Sequence, residues 1–416
     1  MVNNPSSKMT ITAGFIPLID SAVVLAAATQ GFAAEESIDL QLVRETSWAN
    51  IRDKIAVGHM DVAQMLAPMP IASNLGLAPL PARLVAPMAL GTGGNTIAIS
   101  RELNAAVSQH GVVRDGDAAR LAEAFKKVIN ERAERGERRL VFGIVHPHSS
   151  HHYELAYLLG HAGIRPDVDV QLVVVPPALM PDALRAGQID GFSAGEPWGT
   201  AAAMQGTGVI ATTKSAIWRS SPEKVLGLRA DWAEANAEGL GKLLRALYRA
   251  ALWCDEVDNR DALVSMLAAP QHLNIDAQVI KAALDGEHAP AVAAHSRPQR
   301  IFRFAASASS FPWQSHALWF YSQMIRWQQV QFREEDIEIV RRTYRPDIYR
   351  AALAQLDATI PSANAKIEGA LSVPTPVGAT RGQLVLGPDG FFDGRIFDPD
   401  KLVEYCDSFA VRAPKA

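Results

Sequence analysis

Four histidines within seven residues, His146, His148, His151 and His152, form the densest concentration of potential chemistry in this chain. They occupy a polar turn that itself carries no carboxylate or cysteine. Zinc favours a closed set of such ligands, so a metal centre is not expected there and the imidazoles read as hydrogen-bond donors. Ser149 and Ser150 lack the strand-to-helix glycine elbow of a hydrolase nucleophile. Four further points carry polar groups: Trp48 just after Ser47, Asn95 after Gly93-Gly94, the turn Gly195-Glu196-Pro197-Trp198, and Ser221-Pro222-Glu223-Lys224. Each has a plain structural reading, as a packing indole, a left-handed turn residue or a surface lysine. Their joint reading is different. Helices that begin near Ser47, His151 and Glu196 present unpaired amides and the positive end of a dipole. An imidazole, an ammonium, an indole N–H and a carboxamide add donors. That mixture suits a small planar monoanion.

These groups need a scaffold that brings them to one place. The apolar run 141–145 precedes the histidine turn, a helix follows, 170–175 reads as a strand entering Pro176-Pro177, and 189–194 is a strand that ends at Gly195. Strands alternating with helices at this spacing imply a parallel sheet. In such sheets the turns at the carboxyl ends of the strands face a common ligand crevice. A similar run comes first: strand 11–18, helix 22–34 capped by Asp20-Ser21, strand 38–43, helix 49–57, strand 62–66, then 83–90 leading through Gly91-Thr92-Gly93-Gly94 to strand 96–100. Residues 118–135 read as a long amphipathic helix with a solvated charged face. The strand 225–229 returns the chain to the first unit. Beyond about 260 the pattern is helical, and the turn-rich 387–394 reads as a segment lying across a surface. The expected architecture is α/β, with two lobes joined by more than one crossing and a ligand cleft between them, as in a hinge-closing binding protein. Lobe I comprises residues 1–104 plus 213–416, and lobe II residues 105–212. Such lobes close about a hinge.

Composition narrows the class. With 416 residues, 48% hydrophobic, the chain is large enough for two cored domains. A formal net charge of −4 gives no general attraction to nucleic acid or an anionic membrane, so neither is an expected partner. Only two cysteines occur, Cys254 and Cys406, which excludes a disulfide framework. Residues 1–9 are short and polar, without the basic start, long apolar core and small-residue cleavage site of a secretory signal. A cytoplasmic location is expected on that ground.

The chain resembles the nitrate-binding and bicarbonate-binding proteins of ABC importers over nearly its whole length. The matching stretches are Trp48-Ala49-Asn50-Ile51-Arg52-Asp53-Lys54, Ala67-Pro68-Met69-Pro70, Gly195-Glu196-Pro197-Trp198, Pro222-Glu223-Lys224, Leu228-Arg229-Ala230-Asp231-Trp232 and Phe392-Asp393-Gly394-Arg395. The resemblance implies the α/β, two-lobed periplasmic-binding-protein-like (type II) fold with an interlobe ligand cleft, and a nitrate site formed by Trp48, Asn95 (where the family has glutamine), His151, Gly195 and Lys224. His152 is the one-residue alternative to His151, and Glu196 and Pro222 lie beside the site. The version of the family without export resembles a cytoplasmic nitrate/nitrite sensor. Its implied partner is an RNA-binding antitermination regulator of nitrate assimilation genes, released when the anion binds. The alternative is a solute-binding protein of a nitrate, bicarbonate or sulfonate importer. Neither implies a cofactor or an enzymatic activity. Thiamine pyrimidine synthases share the fold, but this chain has no cysteine-rich iron motif.

Overall fold

The computed structural model describes residues 8–112, 116–290 and 301–409. The first lobe is built on a five-stranded sheet, β1 (Met9–Phe15), β2 (Ile38–Arg44), β3 (Val62–Leu66), β4 (Leu84–Ala89) and β11 (Lys224–Arg229), in the order β2-β1-β3-β11-β4. The second lobe carries β6 (Asn95–Ser100), β7 (Val141–Ile144), β8 (Gln171–Val174), β9 (Gly191–Gly195) and β10 (Gly208–Thr213), ordered β10-β6-β9-β7-β8. Neither sheet is wholly parallel. β1 runs parallel to β2 and β3, and β7 to β8 and β9, whereas β11 and β6 are antiparallel to their neighbours. The cause is topological. β6 and β11 are the strands by which the chain enters a lobe from the cleft, so they start where the others end.

That arrangement moves the lobe boundary. The strand Asn95–Ser100 pairs with β9 and β10, so the first crossing lies just ahead of Asn95 rather than at residue 104. An apolar strand reads alike in either lobe, and its partners lie about a hundred residues on. At the crossing, β5 (Thr92–Gly93) lies against the returning segment before β11: Gly93 N–H donates to Ser221 O at 3.1 Å and Leu90 N–H to Lys224 O at 2.8 Å. On its other side β5 pairs with β12 (Phe302–Arg303). Gly93 has φ +81°, and a side chain there would collide with the Ile301 carbonyl, so the hinge admits only glycine.

Cap chemistry sets the helices that face the cleft. Ser47 accepts from Asn50 N–H at the start of helix Trp48–Ala56, and Ser149 from His152 N–H at the start of helix Ser150–His161. Each such cap stabilises its helix by about 1 kcal/mol. Asp20 makes no cap, contrary to its reading from the sequence. The C-terminal part is not confined to the first lobe. Helix Gln314–Arg326 packs on both helix Pro68–Asn74 and helix Ser150–His161. The turn-rich tail is anchored inward rather than merely laid across a surface: Phe391 is buried and stacks on Trp218 at 4.6 Å, and Tyr157 Oη donates to Asp393 at 2.9 Å. The glycines and aspartates that suggested a surface strap mask one aromatic anchor that fixes it. Among the described residues no helix is long and apolar enough to cross a membrane.

Candidate functional site

The cleft-facing ends of the two sheets meet in a buried knot of charge. Lys224, the first residue of β11, sits opposite Leu66 at the end of β3. Its Nζ donates to Asp20 Oδ2 at 2.7 Å and to Glu223 Oε1. Asp20 follows β1, and its second oxygen accepts from Gln64 Nε2, whose own Oε1 is held by Ile16 N–H at 2.9 Å. The other Glu223 oxygen accepts from Lys214 Nζ, Asn95 Nδ2 and Ser150 Oγ. Lys214 Nζ is also 3.0 Å from Glu154 Oε1 and donates to Pro222 O at 2.7 Å. Glu154 in turn accepts from Ser221 Oγ. First-lobe and second-lobe groups therefore share one network, and all of these charged side chains are buried.

Around the knot stand polar atoms without partners. Trp48 Nε1, both ring nitrogens of His151 and Asn95 Oδ1 are buried and make no hydrogen bond. His151 Nε2 stands 3.4 Å from Glu223 Oε1, and the Lys224 ammonium lies 5.2 Å from the centroid of the Trp48 ring. Leaving a buried polar atom unmatched costs about 1–3 kcal/mol, so the unmatched donors of Trp48 and His151 beside one lysine point to a ligand that accepts from them. Gly195 pairs with Asn95 across β9 and β6. A methyl group on it would stand 3.2 Å from Asp20 Oδ2 and 3.5 Å from Asn95 Oδ1, so glycine keeps this space open.

Protonation follows from burial and charge. Burial pushes His151 down to about 3, so it is a neutral imidazole at physiological pH with one N–H to donate. Burial works to raise Glu223, but the charge around it outweighs this and holds it well below the usual carboxylate range. With His151 neutral, the two lysines hold it there. Burial would lower Lys224, yet Asp20 and Glu223 keep it above its ordinary value and charged. Asp20 is raised, by burial above all.

The structure thus gathers Trp48, Asn95, His151, Gly195 and Lys224 at one point. The neighbours behave differently. His152 turns away and contacts Pro147 O at 2.6 Å through Nδ1. Glu196 is buried but faces its own helix, accepting from Thr96 Oγ1 at 2.9 Å and Thr200 N–H at 3.0 Å, and burial raises it to about 7. Only its backbone reaches across, where its carbonyl accepts from Ile19 N–H of the first lobe at 2.9 Å. Pro222 contributes its carbonyl to Lys214. The sequence reading missed Asp20, Gln64, Glu154, Lys214, Ser150 and the carboxylate of Glu223. One signal was present: Asp20 is a lone charge within an apolar stretch from Phe15 to Ala28.

Comparisons with known proteins agree with the two-lobed fold. A family model described as the NMT1-like family matches residues 4–268. The nitrate/nitrite binding protein NrtA of Synechococcus elongatus is 29% identical, over 98% of this chain and 87% of that protein. The nitrate import ATP-binding protein NrtC of Synechocystis sp. is 33% identical over 86% of this chain, which spans only 52% of that longer relative. Among solved structures, the periplasmic nitrate-binding protein NrtA from Synechocystis PCC 6803 superposes with a TM-score of 0.83 at 27% identity, covering 98% of this chain and 100% of that one. The fold is the two-lobed periplasmic-binding-protein architecture, with mixed sheets.

Proposed function

We propose that this chain, which belongs to the NMT1-like family, binds nitrate or nitrite between its lobes and reports that binding to a partner protein. The observation that carries the ligand is the pair of unmatched buried donors, Trp48 Nε1 and His151, beside the Lys224 ammonium. A flat oxyanion can accept from the indole, the imidazole and the ammonium at once, and its charge complements the lysine. Full-length similarity to nitrate-binding relatives supports the same ligand class.

In the sensor reading the protein is cytoplasmic and its partner is an antitermination regulator. Lobe closure is the element both ligands bias: the anion favours the closed form and the regulator the open one. Reciprocity then requires that each weaken the other by the same factor. A coupling of about 1–3 kcal/mol gives roughly 5- to 150-fold release. A nearly complete switch needs on the order of 5 kcal/mol. The match to the periplasmic NrtA along its entire length favours a second reading, a solute-binding component of an anion importer.

Calorimetry with nitrate, nitrite, bicarbonate and sulfate, followed by titration of a regulator complex, separates these. Saturable heat with nitrate or nitrite and dissociation of the complex supports the sensor. Nitrate binding without any regulator complex supports the importer. Heat from bicarbonate or sulfate alone removes the nitrate reading.

A further inference from the structure

The positive charges of the interlobe knot are already offset within it. Two ammonium groups, Lys214 and Lys224, face three carboxylates, Asp20, Glu154 and Glu223, with His151 neutral beside them. The carboxyl of Glu196 lies on the same side of the second lobe, turned to Thr96 and Thr200. Every one of these groups is buried. An anion added to such a set is an uncompensated charge in a dry site, which costs several kcal/mol unless a cation accompanies it. A proton is the smallest one. We propose that Asp20 takes up a proton as the anion binds, so that the ligand enters with a proton and Asp20 becomes a hydrogen-bond donor to it.

The geometry selects Asp20 among the carboxylates. Glu223 accepts from Lys224, Lys214, Asn95 and Ser150, and so many donors favour its ionised form. Glu154 is tied to Lys214 and Ser221 and not to Lys224. Glu196 is occupied by its own helix start. Asp20 has one oxygen committed: Gln64 is oriented by the Ile16 amide so that its Nε2 meets Asp20 Oδ1. The other, Oδ2, has Lys224 as its donor and borders the space that Gly195 keeps open. When Lys224 transfers its hydrogen bond to the anion, Oδ2 loses its counter-charge and accepts the proton. Burial of Asp20, which already favours its neutral form, acts in the same direction.

The inference rests on the anion reading and adds a sign to it. Affinity should rise as pH falls, by about tenfold per unit, until pH reaches the value at which Asp20 is already protonated without ligand. His151 titrates near 3, far below that window. The test is nitrate calorimetry on the full chain at pH 8 in two buffers of different ionisation enthalpy. About one proton should be taken up per nitrate. Asp20→Asn should bind nitrate with no proton uptake and an affinity independent of pH, while Glu196→Gln, whose carboxyl is turned to its own helix, keeps the uptake. Nitrate binding without proton uptake by the unaltered protein would overturn the inference and leave the anion site standing, even if Asp20→Asn does not fold. Uptake retained in Asp20→Asn, or lost in Glu196→Gln, would overturn it too. No nitrate binding at any pH would overturn both.

Discussion

The chain builds the same knot twice. In the cleft, Lys224 bridges Asp20 and Glu223, with His151 3.4 Å from Glu223 and Trp48 beside the ammonium. In the C-terminal region, Lys366 bridges Glu368 and Asp389, with His316 3.4 Å from Glu368 and Trp313 beside the ammonium. Residue types alone therefore do not distinguish a site from a staple. What differs is which parts of the molecule contribute. The C-terminal knot joins the start of helix Gln314–Arg326 to the tail segment: Ser315 Oγ donates to Glu368 and Leu371 N–H to Asp389. It borders a cavity of only about 20 Å³, room for a single water and not for an oxyanion. The cleft knot draws on strands and helices of both lobes, so its geometry changes with the lobe angle.

The largest contrast should appear when the two lysines are removed. Lys366→Met strands Glu368 and Asp389 without a counter-charge and should destabilise the fold by about 3–5 kcal/mol, read from denaturant unfolding, with anion affinity of the folded protein unchanged. Lys224→Ala strands two buried carboxylates as well, but should in addition lower the nitrate affinity of the folded protein about 100-fold, the value of one charge-assisted hydrogen bond. Equal effects of both variants on binding would erase the distinction drawn between the knots.

Next in size is the effect of pH on the C-terminal knot. Burial alone would raise Glu368, but Lys366 above all holds it at about 2, against 4.5 unperturbed. A depressed carboxylate contributes stability that is full above 4.5 and lost as pH falls toward 2, on the order of 3 kcal/mol in total. Glu368→Gln should flatten that part of the acid unfolding curve. The histidine turn acts at higher pH. Burial lowers His146 and His151 to about 3, so folding resists charging them and stability should already begin to fall below 6.5. Nitrate should shift the curve for the cleft and not for the C-terminal knot.

The smallest contrast lies between adjacent residues. His151→Gln should weaken nitrate binding by about tenfold, whereas His152→Gln should leave it unchanged, because that ring faces Pro147.

The comparison also shows what could be read in advance. Strand and helix order, and the gathering of polar turns at one end, follow from periodicity and cap residues, and Ser47 does cap the helix that opens at Trp48. Long-range pairing was not legible: β6 joins a sheet whose other strands lie far along the chain. Charge balance was not legible either. Asp20 beside Ser21 looks like a helix cap, and only β11 placed against β3 brings Lys224 to it. Phe391, hidden in a turn-rich tail, found Trp218 for the same reason.

The most direct test of the central claim is the indole N–H of Trp48, followed by proton–nitrogen NMR during a nitrate titration and assigned by loss of the peak in Trp48→Phe. A saturable shift of that resonance, absent in Lys224→Ala at the same nitrate concentration, is the expected result. A Trp48 indole that ignores nitrate while the protein binds it would place the anion elsewhere and contradict the site described above.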